Sequence, residues 1–175
     1  MPTNPNMVAI QTVTVGSGGA ASITFSNIPQ TYTDLVVKIS GRSTGAGGNN
    51  FDGIRVKPNG STANLSTRLV YGLGSGSPAS ATDINVSGGE TSNSNSTAST
   101  FGNSEIYFPN YTSSNYKSFS ADGVSENNGT QVATVLVANL WSNTAAITSL
   151  EFVLESGGNF AQYSTATLFG ITKYT

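Results

Sequence analysis

The sequence has no cysteine and no histidine among its 175 residues. The first absence excludes disulfides, thiolate metal ligands and cysteine nucleophiles. The second excludes imidazole acid–base catalysis, Ser-His-Asp triads and histidine-bound zinc, since histidine is the commonest metal ligand and titrates near neutrality unaided. Carboxylate, lysine, tyrosine and Ser-Lys chemistry remain. Charge is scarce too: nine acids and seven bases make 9% of the chain, against about 25% in an average globular protein. A net charge of −2 gives no basic footprint for tracking phosphates, so no nucleic-acid partner is expected. No apolar run approaches the roughly eighteen residues of a membrane helix. The N-terminal MPTNPNMVAIQ lacks the basic-then-apolar layout of a secretory signal, and no membrane partner is expected.

What fills the place of charge is Ser, Thr and Asn, with 25, 22 and 18 copies. Such a surface is polar but almost uncharged, which weakens the repulsion that keeps copies apart. A closed homo-oligomer is therefore expected. The length suits one domain, which would bury roughly 70% of its unfolded surface and needs no covalent staples.

Apolar residues alternate with period two nearly throughout, and helical spacing is almost absent. In DLVVKIS, Leu35, Val37 and Ile39 share one face while Val36, Lys38 and Ser40 share the other. In GIRVKPNG, Ile54 and Val56 oppose Arg55 and Lys57, and Pro58 with Asn59-Gly60 ends the strand in turn chemistry. Further strands are predicted over 8–15, 21–28, 66–72, 83–87, 105–108, 117–124, 131–140, 146–155 and 165–174. Short strands separated by Gly, Asn, Ser and Pro clusters predict an all-β fold: an antiparallel β-sandwich, jelly-roll-like, of about 8 to 11 strands. It is read as a single domain, with residues 1–20 as an N-terminal arm. QVATVLVANLW, 131–141, reads as a central strand buried on both faces, and Trp141 as a core or interface anchor. Two glycine- and serine-rich stretches, 41–53 and 87–104, read as long polar loops at the sandwich ends, where a neighbouring subunit or ligand would order them.

Several motifs imitate chemistry. GLGSGS, 72–77, follows a strand but leads through Pro78 into no helix, so it lacks the N-terminus that holds a pyrophosphate. Glu151 and Glu155 share a strand face, and with Asp122 or Glu126 they could mimic a glycosidase pair, which needs a separation of about 5 to 10 Å. Solvated strand positions explain them more simply. Asp52, Asp83 and Asp122 are oxygen ligands suited to calcium, yet no D-x-[DN]-x-[DN]-G array holds them. No cofactor and no catalytic residue are expected. The segment FPNYTSSNYKSF, 108–119, sets aromatics beside Asn110 and Asn115 as a sugar site does, or packs those aromatics inward at a turn.

Four segments carry a family resemblance: ITFSNIPQTYTDLVVKISGRS (23–43), IYFPNYTSSNYKSF (106–119), LWSNTAAITSLEF (140–152) and the closing GNFAQYSTATLFGI. Together they resemble structural proteins of tailed bacteriophages over most of the chain beyond the first twenty residues. Tyr163 departs from the pattern, standing where a glycine is expected before Ser-Thr. The resemblance implies a β-sandwich virion component of the kind found on capsid surfaces and tail fibres, with no catalytic residues. It leads to the expectation of a capsid decoration, or cement, protein. Such a protein would assemble in the host cytoplasm, reside in the virion as a homo-oligomer, a trimer being favoured, and bind the major capsid protein or other virion proteins. The alternative is a lectin-like tail-fibre domain that recognises host glycans. Tyr111, Tyr116, Trp141, Phe160 and Tyr163 are the candidate contacts for a partner protein or a glycan.

Overall fold

The alternating segments form strands because residues two apart share a face, and a half-apolar strand is stable only when that face is covered. The computed structural model describes residues 6–46, 49–74, 76–128 and 131–172. Among the described residues twelve strands follow one another, one more than the upper end of the expected 8 to 11, because the short strands Ala79–Ala81 and Glu90–Ser92 lie in stretches read as loop. The first six are β1 (Met7–Thr14), β2 (Ser22–Phe25), β3 (Asp34–Gly41), β4 (Phe51–Pro58), β5 (Leu65–Gly72) and β6 (Ala79–Ala81). After a 3₁₀ turn at Ile84–Val86 come β7 (Glu90–Ser92), β8 (Gly102–Phe108), β9 (Lys117–Ser125), β10 (Ala133–Trp141), β11 (Leu150–Leu154) and β12 (Thr165–Ile171).

These strands build two antiparallel sheets. The larger runs β1-β12-β3-β8-β9-β10-β5-β6 and the smaller β2-β11-β4-β7. The all-β sandwich read from the sequence is therefore the fold. The core lies between the sheets, where Leu35, Val37, Ile106, Phe108 and Leu168 of the large sheet meet Ile23, Phe25, Ile54, Val56 and Phe152 of the small one. Phe25 meets Phe152 edge-on at 6.1 Å, and Phe108 stacks on Phe119 at 4.6 Å. Each such side chain contributes about 1.5–3 kcal/mol by leaving water.

Three further sequence expectations are corrected. Residues 83–87 are not a strand: Asp83 Oδ1 accepts from Asn85 N at 2.9 Å and caps a 3₁₀ turn, a local bond that outcompetes extension. The stretch 87–104 is not all surface loop, because Ser87 and residues 90–93 are buried and supply β7. Here Gly102 and Gly123 matter, since a Cβ on Gly102 would lie 2.9 Å from Ser92 N, and one on Gly123 2.7 Å from Glu90 N. Their bare backbones let β7 lie directly on β8 and β9. Finally, β10 is buried on one face alone: Val135, Val137, Asn139 and Trp141 point inward, whereas Leu136 is 59% exposed.

The turn expected after Pro58 stands. Asn59 and Gly60 both take positive φ, as a tight turn after Pro58 requires. Residues 7–14 of the N-terminal stretch are an edge strand on β12, and residues 1–5 lie outside the described residues. The closing strand ends at Ile171, with 173–175 also outside them.

Candidate functional site

The outer face of the large sheet carries one unbroken row of cross-strand neighbours: Thr12, Thr167, Lys38, Glu105, Asp122, Leu136, Val70 and Ser80. Its centre is charged. Lys38 meets Glu105 at 2.8 Å, with both side chains about half exposed, so the pair contributes little to stability. The hydrogen bond from Lys38 to Glu105 raises the lysine's pKa. Asp122 is pushed up by desolvation first and by Glu105 second, with Lys38 opposing.

Beyond Asp122 the row turns apolar. Leu136 faces Val70 across β10 and β5, and the two are 59% and 53% exposed. They line an open hollow of about 620 Å³ together with Arg68, Ser80, Ser120 and Ala138. Leu140 adds a further exposed apolar side chain on β10. Paired directly across two strands and left in water, these side chains form an exposed apolar patch rimmed by hydroxyls and one guanidinium.

The five aromatic candidates divide. Tyr111, Trp141 and Phe160 are buried. The Tyr111 hydroxyl donates to the Pro29 carbonyl, and its backbone carbonyl accepts from Ile147 N at 3.0 Å. The Trp141 ring lies 5.5 Å from the ammonium of Lys117. Phe160 bridges Ala20 and Ser43. These three hold the fold and present no face to a ligand. Tyr116 and Tyr163 are 60% and 69% exposed, but at opposite ends of the sandwich: Tyr116 precedes β9 in the loop beside Asp34, Tyr163 precedes β12. In 108–119, therefore, Phe108, Tyr111 and Phe119 turn inward, while Tyr116 lines a polar hollow of about 450 Å³ with Asn110, Ser113 and Asn115.

The acids divide as well. Asp122 projects from the large sheet, Glu151 from the small one, where it meets Lys57 at 3.3 Å. They cannot act on one bond. Asp52 and Asp83 do come together with Glu90 and Glu155 around Gly53 and the 3₁₀ turn. Arg55, the cation of this group, donates to Asn85. Glu90 is 5% exposed, and its Oε2 has no hydrogen-bond partner. Desolvation, then Glu155, Asp52 and Asp83, push its pKa from 4.5 to about 7. Among the described residues no group of three or more His, Cys, Asp or Glu is arranged to hold a metal ion.

Four further residues have roles that no motif announces. Arg42 donates to the carbonyls of Ser96, Thr97 and Thr100 and to the Thr100 hydroxyl, at 2.8 to 3.2 Å. Asn93 donates to the carbonyls of Asn49 and Phe51 at 2.8 and 2.9 Å. Over their described residues, the glycine- and serine-rich stretches are thus held by the chain's own bonds. Lys117, 1% exposed, donates to the carbonyls of Asn143 and Ala145, and burial lowers its pKa. Thr67 is buried against Asn139. The signals were faint: a lone Arg before a polar run, and a Lys at the inward phase of β9.

Comparison with protein-family models, curated proteins and solved structures finds no match.

Proposed function

We propose that the chain is a non-enzymatic structural protein of a tailed-bacteriophage virion, a capsid decoration protein that binds the assembled head lattice and bridges its subunits. The observation that supports this best is the Leu136–Val70 pair, exposed side by side on the outer face of an eight-stranded sheet. Interfaces bury an apolar centre inside a polar, hydrogen-bonding rim. Here the rim is Ser80, Ser120 and Arg68, and the partner would be the major capsid protein. The phage part of the reading rests on the resemblance of 23–43 and of the closing STATLFGI.

The test is cosedimentation of the purified chain with heads of the phage that encodes it, alongside heat challenge of decorated and bare heads. Decorated heads should resist heat better, and Leu136→Asp should abolish binding without altering the far-ultraviolet spectrum. Absence of the chain from purified virions, or unimpaired binding by Leu136→Asp, would overturn the reading.

A second reading, glycan recognition at a tail-fibre tip, is favoured by the Tyr116 hollow, where an exposed ring stands beside two asparagine amides. Binding on a glycan array that disappears in Tyr116→Ala would select it over cementing.

A further inference from the structure

The four sheet edges differ sharply in length. β6 and β7 have three residues each and β2 has four. β7 is further closed by a parallel bridge between Arg42 and Ser92 and by the Ser43 N–H donating to the Ser92 carbonyl at 2.7 Å. β1 has eight residues and, among the described residues, pairs only with β12.

Natural sheets blunt long edges with lysine, proline, inward charge or bulges, because a row of unpaired backbone groups recruits another strand. β1 reads MVAIQTVT, with no charge and no proline. Its one irregularity is a register shift between Ala9 and Gln11, leaving Gln11–Thr14 straight. At the end of that segment, Val15 N donates to the Ser164 carbonyl and the Val15 carbonyl accepts from Tyr163 N, so Val15 turns both groups toward β12. Alternation then turns Val13 the same way and aims the N–H and C=O of Thr12 and Thr14 outward. Ile10 and Val13 pack against the core yet stay half-buried, because the sheet stops beside them.

We propose that this edge is an interface between two copies of the chain, with β1 pairing antiparallel to β1 about a two-fold axis. A pair centred on Val13 sets Thr12 opposite Thr14 of the second copy. Each threonine then finds a partner for its outward N–H and C=O, and the two Val13 side chains meet on the core side. The arrangement is self-complementary, as a two-fold contact must be. Nothing in the strand repels its copy, since it is uncharged, and the chain's net charge is only −2. The outer-face row that ends at Thr12, whose hydroxyl lies 3.0 Å from that of Thr167, continues into the second copy. The two large sheets become one of sixteen strands.

The measurement is the oligomeric state of the full chain by light scattering across a micromolar concentration series, with amide exchange read at Thr12 and Thr14. A dimer is expected, with both amides protected. Thr12→Pro removes an outward N–H at an edge position that tolerates proline, and Thr12→Lys sets a charge there. Each should raise the dissociation constant about tenfold or more while leaving the spectrum of the folded monomer unchanged. A monomer or trimer at high micromolar concentration would overturn the proposal, as would a dimer whose dissociation constant neither variant moves. Since the Leu136–Val70 face is untouched by these variants, loss of head binding and loss of the dimer are separable failures.

Discussion

Thr67 and Asn139 meet in the interior, the threonine hydroxyl donating to the asparagine amide oxygen at 2.7 Å. The Asn139 amide donates in turn to the Ser87 carbonyl at 2.9 Å, and the Ser87 hydroxyl accepts from Val56 N at 2.9 Å. A chain of three bonds thus joins β5 and β10 of the large sheet to β4 of the small one through the interior.

Breaking that chain should cost more than one net hydrogen bond, because a buried acceptor is left dry. Thr67→Val is nearly isosteric and is expected to destabilise by about 1–3 kcal/mol. Adding Asn139→Leu should cost less than the sum of the two single changes, the orphaned amide then being gone. Urea unfolding of the two single variants and the double variant measures both.

Glu90 makes stability depend on pH. Its pKa is 4.5 in the ordinary state and about 7 here, so between those values the folded chain holds a proton that the unfolded chain has released. Stability is then greatest below about pH 4.5, falls as pH rises toward 7, and levels above it. The loss is on the order of 3 kcal/mol. Glu90→Gln keeps the shape without the charge and should raise the urea midpoint at pH 8 while leaving pH 5 nearly unchanged. Burial raises Glu155 and Asp122 too, so a smaller slope of the same sign persists in the variant.

Tyr163 adopts φ +73° and is 69% exposed. The left-handed region costs a residue with a Cβ roughly 1–2 kcal/mol, whereas glycine enters it freely. Tyr163→Gly should stabilise by about 0.5–1 kcal/mol net of the entropy glycine gains when unfolded, seen as a higher melting temperature.

Arg42→Lys retains charge but not the planar fork that reaches three carbonyls. It should cost about 1–2 kcal/mol, and it should speed amide exchange and proteolysis within 94–101 ahead of the rest of the chain.

The strands were legible wherever alternation met solvent on one side, as in β3 and β4, because period two is a property of neighbours along the chain. So was the turn at Asn59-Gly60; Tyr163 stood out only against the family resemblance, and its backbone takes a conformation that favours glycine. The interior role of 87–93 was not legible. A run of Ser, Gly, Glu, Thr and Asn is buried only because Gly102 and Gly123, on other strands, leave room for it. Nor could sequence show that β10 is covered on one side, since an apolar outward face reads the same whether protein or water lies over it. Of the five aromatic candidates, burial separates Tyr116 and Tyr163 from the rest, and that depends on which way each loop folds back.

Met7 and Ile171 stand opposite each other at one end of the β1–β12 pair. A pull applied at Met7 and Ile171 would therefore peel that pair apart bond by bond, like a zip opened from its slider. Traction along the strands through the outer face would instead be shared by whole ladders at once.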